Sequence, residues 1–106
     1  MSAVRALTAA DFDALVPASG AAVIDFWSEF CAPCAEVAAS LEALAAEHEG
    51  AVFIGKVDVV AEPALAARFE VAALPTLLFL RDGAVVRRMV GVRPRSHIAR
   101  EMAALA

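Results

Sequence analysis

Apolar residues in this chain fall into runs, and the spacing inside each run predicts an alternating series of strands and helices. Ala3-Val4-Arg5 reads as a short edge strand. Thr8-Ala9-Ala10-Asp11 is a capping box, in which the Thr8 hydroxyl can accept from the Asp11 amide and the Asp11 carboxylate can reach back. Leu7 and Phe12 take the two positions of a hydrophobic staple, and Phe12, Leu15 and Val16 give that helix one apolar side up to Pro17. Ala21-Ala22-Val23-Ile24-Asp25-Phe26-Trp27 is almost continuously apolar, as expected of a strand buried on both faces. Val37, Leu41, Leu44 and His48 then recur at helical spacing until Gly50 ends the helix. Val52 to Val59 reads as the next strand. Pro63 suits the first turn of a short helix in which Leu65 and Phe69 pair at i, i+4. Thr76 to Leu80, the Arg81-Asp82-Gly83 turn and Ala84-Val85-Val86 form a β-hairpin. Pro94 opens a last helix with Ile98, Met102 and Leu105 inward. The order β-α-β-α-β-α-β-β-α predicts an α/β protein with a mixed sheet of about five strands and helices on both faces.

With 106 residues, the chain has room for one core, so residues 1–106 are expected to form a single domain. Apolar residues make up 61%, which excludes a disordered chain. The net charge of −4 argues against nucleic acid as the main partner, and no run reaches the roughly 18 apolar residues of a membrane span. No apolar h-region follows Met1, so a cytoplasmic location is expected; the chain is also expected to be a monomer. The charge is split: residues 1–70 carry a net −8 and residues 71–106 a net +4, all six bases of the second part being Arg. Solvated faces account for such a split; a basic rim near a site, with Arg93 and Arg95 following Gly91, is the functional alternative.

Cys31-Ala32-Pro33-Cys34 stands between the buried strand and the long helix. A thiol at the start of a helix faces unpaired backbone N–H groups and the positive end of the dipole, and both favour the thiolate that attacks disulfides. Pro33 removes a donor and stiffens the loop. Zinc needs about four ligands, and only two Cys and two scattered His are on offer. A structural disulfide across so short a loop gains little entropy. Two free buried Cys are the remaining plain reading, and a redox-active dithiol is favoured over all three. Asp25, an acid inside an apolar strand, reads as a proton carrier whose pKa burial raises, and plainly as the salt-bridge partner of Lys56; the two are compatible, since a nearby cation limits the rise.

The stretch Asp25-Phe26-Trp27-Ser28-Glu29-Phe30-Cys31-Ala32-Pro33-Cys34 resembles the active-site segment of thioredoxins, and Leu74-Pro75-Thr76 resembles the cis-proline loop of that family. Lys56, Gly83 and Gly91 fall where members have Lys and Gly. The resemblance implies a thioredoxin fold and reduction of protein disulfides. In it Cys31 is the nucleophile, Cys34 the resolving thiol, the two forming the redox disulfide, and Asp25 the acid/base serving Cys34. Trp27, Pro33, Lys56 and a cis Pro75 support the site. Phe30, Ala32, Ala73, Leu74, Thr76 and Gly91 line the client groove, where Leu74 offers its backbone to an extended segment. No bound cofactor or metal is implied; electrons come from NADPH through a thioredoxin reductase, and the partners are that reductase and disulfide-containing clients. The chain departs from the common pattern at Phe30 (usually Trp), Ala32 (Gly), Ala35 (often Lys), Ala39 (a helix-kinking Pro) and Ala73 (Gly). A thioredoxin-fold module that holds clients, its dithiol incidental or regulatory, is the alternative. An oxidase or isomerase is disfavoured because such relatives commonly carry His where Pro33 stands.

Overall fold

Sheet topology in the computed structural model, which describes residues 3–48 and 50–105, follows from the alternation just read. Met1, Ser2 and Ala106 at the ends of the expected domain, and Glu49, lie outside the described residues. Five strands, β1 (Arg5–Ala6), β2 (Ala21–Trp27), β3 (Phe53–Asp58), β4 (Thr76–Arg81) and β5 (Ala84–Val90), lie in the order β1-β3-β2-β4-β5. Strands β1, β3 and β2 run parallel, and β4 and β5 are antiparallel additions beside β2. The helices are α1 (Ala9–Leu15), α2 (Ala32–Glu47), α3 (Pro63–Arg68) and α4 (Arg95–Leu105), with a 3-10 turn at Pro17–Ser19.

Strand side chains alternate between faces, so β2 sorts its residues onto two cores. Val23 packs with Ile54, Leu77 and Met89 against Val37, Leu41 and Leu44 of α2 and Ile98 and Met102 of α4. Ile24 and Phe26 pack with Val57 and Leu78 against Phe12 of α1 and Leu65 of α3. Asp25 shares the face of Val23 and therefore points toward α2. Lys56 is its register partner on β3, on the same face. Packing of Leu7, in the link from β1 to α1, against the sheet needs Gly55, where a Cβ would stand 2.6 Å from the Leu7 side chain.

Local signals are realised with small shifts of boundary. The capping box forms, Asp11 N–H donating to Thr8 Oγ1 at 3.2 Å and Thr8 N–H to Asp11 Oδ2 at 3.4 Å. The hairpin turns on Asp82 and Gly83, both at positive φ (52° and 87°), as a two-residue primed turn requires. The first strand pairs through Arg5 and Ala6 instead of residues 3–5, because Val4 is turned into the core. The last strand runs four residues beyond Val86 to Val90, past a bulge opposite Phe79 and Leu80 that places Arg87 and Arg88 on an exposed edge. His48 does not continue the α2 stripe: the backbone leaves the helix there, and Ala45 completes the buried side.

Helix α3 ends in a Schellman motif, with Val71 N–H bonded to the Ala66 carbonyl at 2.9 Å and Glu70 N–H to Ala67 at 3.1 Å. This places Glu70 at the left-handed position with φ 54°, where glycine is the usual occupant. That conformation costs an L-residue roughly 1–2 kcal/mol, of which the extra freedom of glycine in the unfolded chain gives back about half. Glu70→Gly is therefore expected to raise stability by about 0.5–1 kcal/mol, visible as an upward shift of the thermal midpoint. A lowered midpoint would show that the Glu70 side chain has a stabilising contact worth more than the backbone strain.

Candidate active site

Strand β2 ends at Trp27, and the chain turns at once. Ser28 is buried; its Oγ accepts from Phe30 N–H at 3.1 Å and its carbonyl from Cys31 N–H at 3.1 Å. That turn delivers Cys31 to the N-cap of α2, with Pro33 within the first two helical positions, where its missing N–H leaves nothing unsatisfied. Cys31 and Cys34 are joined in a disulfide. Cys31 is half-buried and Cys34 is 2% exposed, so the first sulfur meets solvent and the second is shielded. Helix α2 runs unbroken through Ala39, as expected where proline is absent.

Beneath the dithiol lies Asp25, 2% exposed, with its Oδ1 lacking any hydrogen-bond partner in the protein. Desolvation pushes its pKa from 3.8 to about 7, against an opposing pull from the Lys56 charge. Lys56 makes no ion pair with it: the ammonium sits 5.7 Å from the centroid of the Trp27 ring instead. The salt-bridge reading of Asp25 is thereby set aside, and Lys56 acts on it as a nearby charge only. Asp25, Trp27, Cys31, Cys34, Ala35 and Lys56 are among the residues lining one pocket of about 260 Å³.

The second wall comes from the start of β4. Leu74-Pro75 is cis. Thr76, aligned with Phe26 on one side and Val90 on the other, puts Pro75 and Gly91 at the dithiol end of the sheet. The Thr76 hydroxyl donates to the Ala73 carbonyl at 2.6 Å, and Gly91 N–H donates to the Pro75 carbonyl at 2.8 Å, which fixes the loop from both flanks. Gly91 has φ 87°, a conformation that suits glycine. Phe30 is 80% exposed beside Cys31, and Ala32 and Ala73 are exposed as well, while Leu74 is half-buried. The sequence-named residues therefore gather at one end of the sheet. Sequence reading gave no role to Ser28, although a hydroxyl two residues before a free N–H just past a strand is the signal of such a turn. Among the described residues no three His, Cys, Asp or Glu side chains are grouped as metal ligands.

A dithiol at a helix N-terminus, a buried carboxyl lining the same pocket and a cis-proline loop at the same end of the sheet define a thiol–disulfide exchange protein. The family model described as Thioredoxin matches residues 3–104. Two curated thioredoxins of Staphylococcus aureus, one from strain COL, are each 43% identical over 97 residues, covering 92% of this chain and 92% of their own. The chain belongs to the thioredoxin family, with its fold and its protein-disulfide reductase activity.

Proposed function

We propose that this protein reduces client disulfides by two successive exchanges, with the whole chain acting as one domain. The observation that carries the reading is that part-exposed Cys31 and shielded Cys34 at the start of α2 share one pocket with buried Asp25 of β2. The Cys31 thiolate attacks a client sulfur, forming a mixed disulfide and releasing the other client sulfur as thiolate. Cys34 then passes its proton to Asp25 and attacks Cys31 Sγ. The mixed disulfide breaks, the second client thiol leaves, and the Cys31–Cys34 disulfide holds the two electrons' oxidation. A carboxyl titrating near 7 can take that proton and return it at neutral pH. Leu74, Pro75, Thr76 and Gly91, with Phe30, Ala32 and Ala73, form the groove in which an extended client lies; Trp27, Pro33 and Lys56 support the dithiol. No cofactor enters these steps. A thioredoxin reductase drawing on NADPH restores the dithiol, and the cytoplasm, with clients drawn from its disulfide-forming proteins, is the setting we assign; among the described residues no helix is long and apolar enough to cross a membrane.

The test combines purified protein, a thioredoxin reductase, NADPH and a disulfide-bonded protein substrate. NADPH consumption is expected to rise in proportion to the added chain. Client thiols appearing with dithiothreitol but not with the reductase would reject the electron source and keep the exchange chemistry; no thiols under either condition would reject both.

A further inference from the structure

A second recess opens at the rim of the dithiol groove. Glu36 and Ser40 of α2 form one side, and Val92, Arg93, Pro94 and Arg95, between β5 and α4, form the other. Glu36 stands five residues beyond Cys31, roughly 7.5 Å along the helix axis at 1.5 Å per residue. On the opposite side, Gly91 is bonded to Pro75, and Arg93 lies over Gly91: a Cβ there would stand 3.3 Å from Arg93 Nη1. The recess thus continues the groove toward α4.

Its charge is net basic, two Arg against one Glu. Among the described residues, ion pairs join Arg68 to Asp13 and Arg87 to Glu101, and Arg93, Arg95 and Glu36 take part in none. The Arg93 guanidinium donates to the carbonyl of its own neighbour Val92 at 3.1 Å. Arg95 stands in the first turn of α4, where no acidic residue offsets it and the helix dipole opposes a cation. Two exposed guanidiniums against one carboxylate leave a net positive rim beside Val92, itself 38% exposed.

We infer that this recess gives the dithiol a preference for client segments carrying a carboxylate within a few residues of the reacting cysteine, with Arg93 and Arg95 as the specificity-determining residues. The inference rests on the reductase reading above. Acidic segments are drawn to the rim and held across it by hydrogen bonds from the guanidiniums, while basic segments are repelled.

The experiment uses the reduced full chain and three disulfide-bonded peptides identical except for Glu, Ser or Lys flanking the cysteine, with single-turnover rates read by chromatography of the reduced peptide. The Glu peptide is expected to react about fivefold faster than the Ser peptide and the Lys peptide slower, since exposed pairs contribute up to about 1 kcal/mol. The spread should collapse near 1 M salt, where the Debye length is about 3 Å. In Arg93→Gln/Arg95→Gln the three rates are expected to converge on one another. Glu36→Gln should widen the Glu-to-Lys ratio. Equal rates with the unmodified chain, a preference for Lys, or a Glu preference that survives in the double variant overturns the inference while leaving the reductase reading standing. Failure to reduce any of the three peptides sinks both.

Discussion

Asp25→Asn is expected to stabilise the oxidised protein at and above neutral pH and to slow it as a reductase. The folded pKa of Asp25 is raised, from 3.8 to about 7, by burial, so the ionised carboxylate opposes folding. The penalty is absent below the unfolded value, where both states carry the proton, grows as pH rises between the two, and is complete above the folded value. At about 1.4 kcal/mol per pH unit it reaches roughly 4 kcal/mol. A buried amide without partners keeps some desolvation cost, so a gain of about 2–4 kcal/mol is expected above pH 7, vanishing near pH 3. Denaturant unfolding at several pH values measures it. The rate should fall by at least about tenfold, since a positioned base contributes about a hundredfold or more. The loss belongs to resolution of the mixed disulfide, where Cys34 needs a proton acceptor. A salt-bridged Asp25 would give the reverse pair of results, lower stability with an unchanged rate; that outcome would reject the acid/base role.

Cys34→Ser is expected to convert the protein from a catalyst into a trap. Cys31 still attacks, but nothing resolves the product, so a covalent adduct of one chain and one client accumulates until an added thiol releases it. Cys31→Ser should abolish turnover and form no adduct, because Cys34 is buried. In the reduced protein Cys31 should also be alkylated by iodoacetamide far faster than Cys34. Its place at the N-cap of α2 gives it helix-end N–H groups and solvent access together, and both favour the reactive thiolate. Non-denaturing alkylation followed by peptide mass mapping reads the order. Faster labelling of Cys34, or adducts formed by Cys31→Ser, would reverse the assignment of roles.

Much of this was legible from local pattern. Thr8 and Asp11 are three residues apart, within the first turn of one helix, so their box could be read without knowing the fold. Asp82-Gly83 announces its turn because few other pairs accept two positive φ values. The site was legible for a related reason: Cys31 and Cys34 are joined by their own short loop, and Asp25 reveals itself by contrast with the apolar strand around it. His48 was misplaced because its spacing is correct for a helix that ends one residue earlier. The full length of β5 was hidden because Arg87 and Arg88 break the apolar pattern on an edge that water, not a neighbour, covers.

By itself the sequence determined which elements form, that they alternate around a buried strand, and which residue types meet at the end of that strand. Each of these depends on interactions between residues near one another in the chain. Tertiary structure alone decided what Asp25 does with its charge. Lys56 is its aligned partner on β3, yet the ammonium lies over the Trp27 ring and leaves Asp25 Oδ1 unpartnered under α2. Tertiary structure likewise brought Gly91 to Pro75 and set Glu36 across from Arg93 and Arg95. Charge and polarity can be read from residue names, but the energy of a charge depends on what replaces water around it, and that is settled only when distant segments pack.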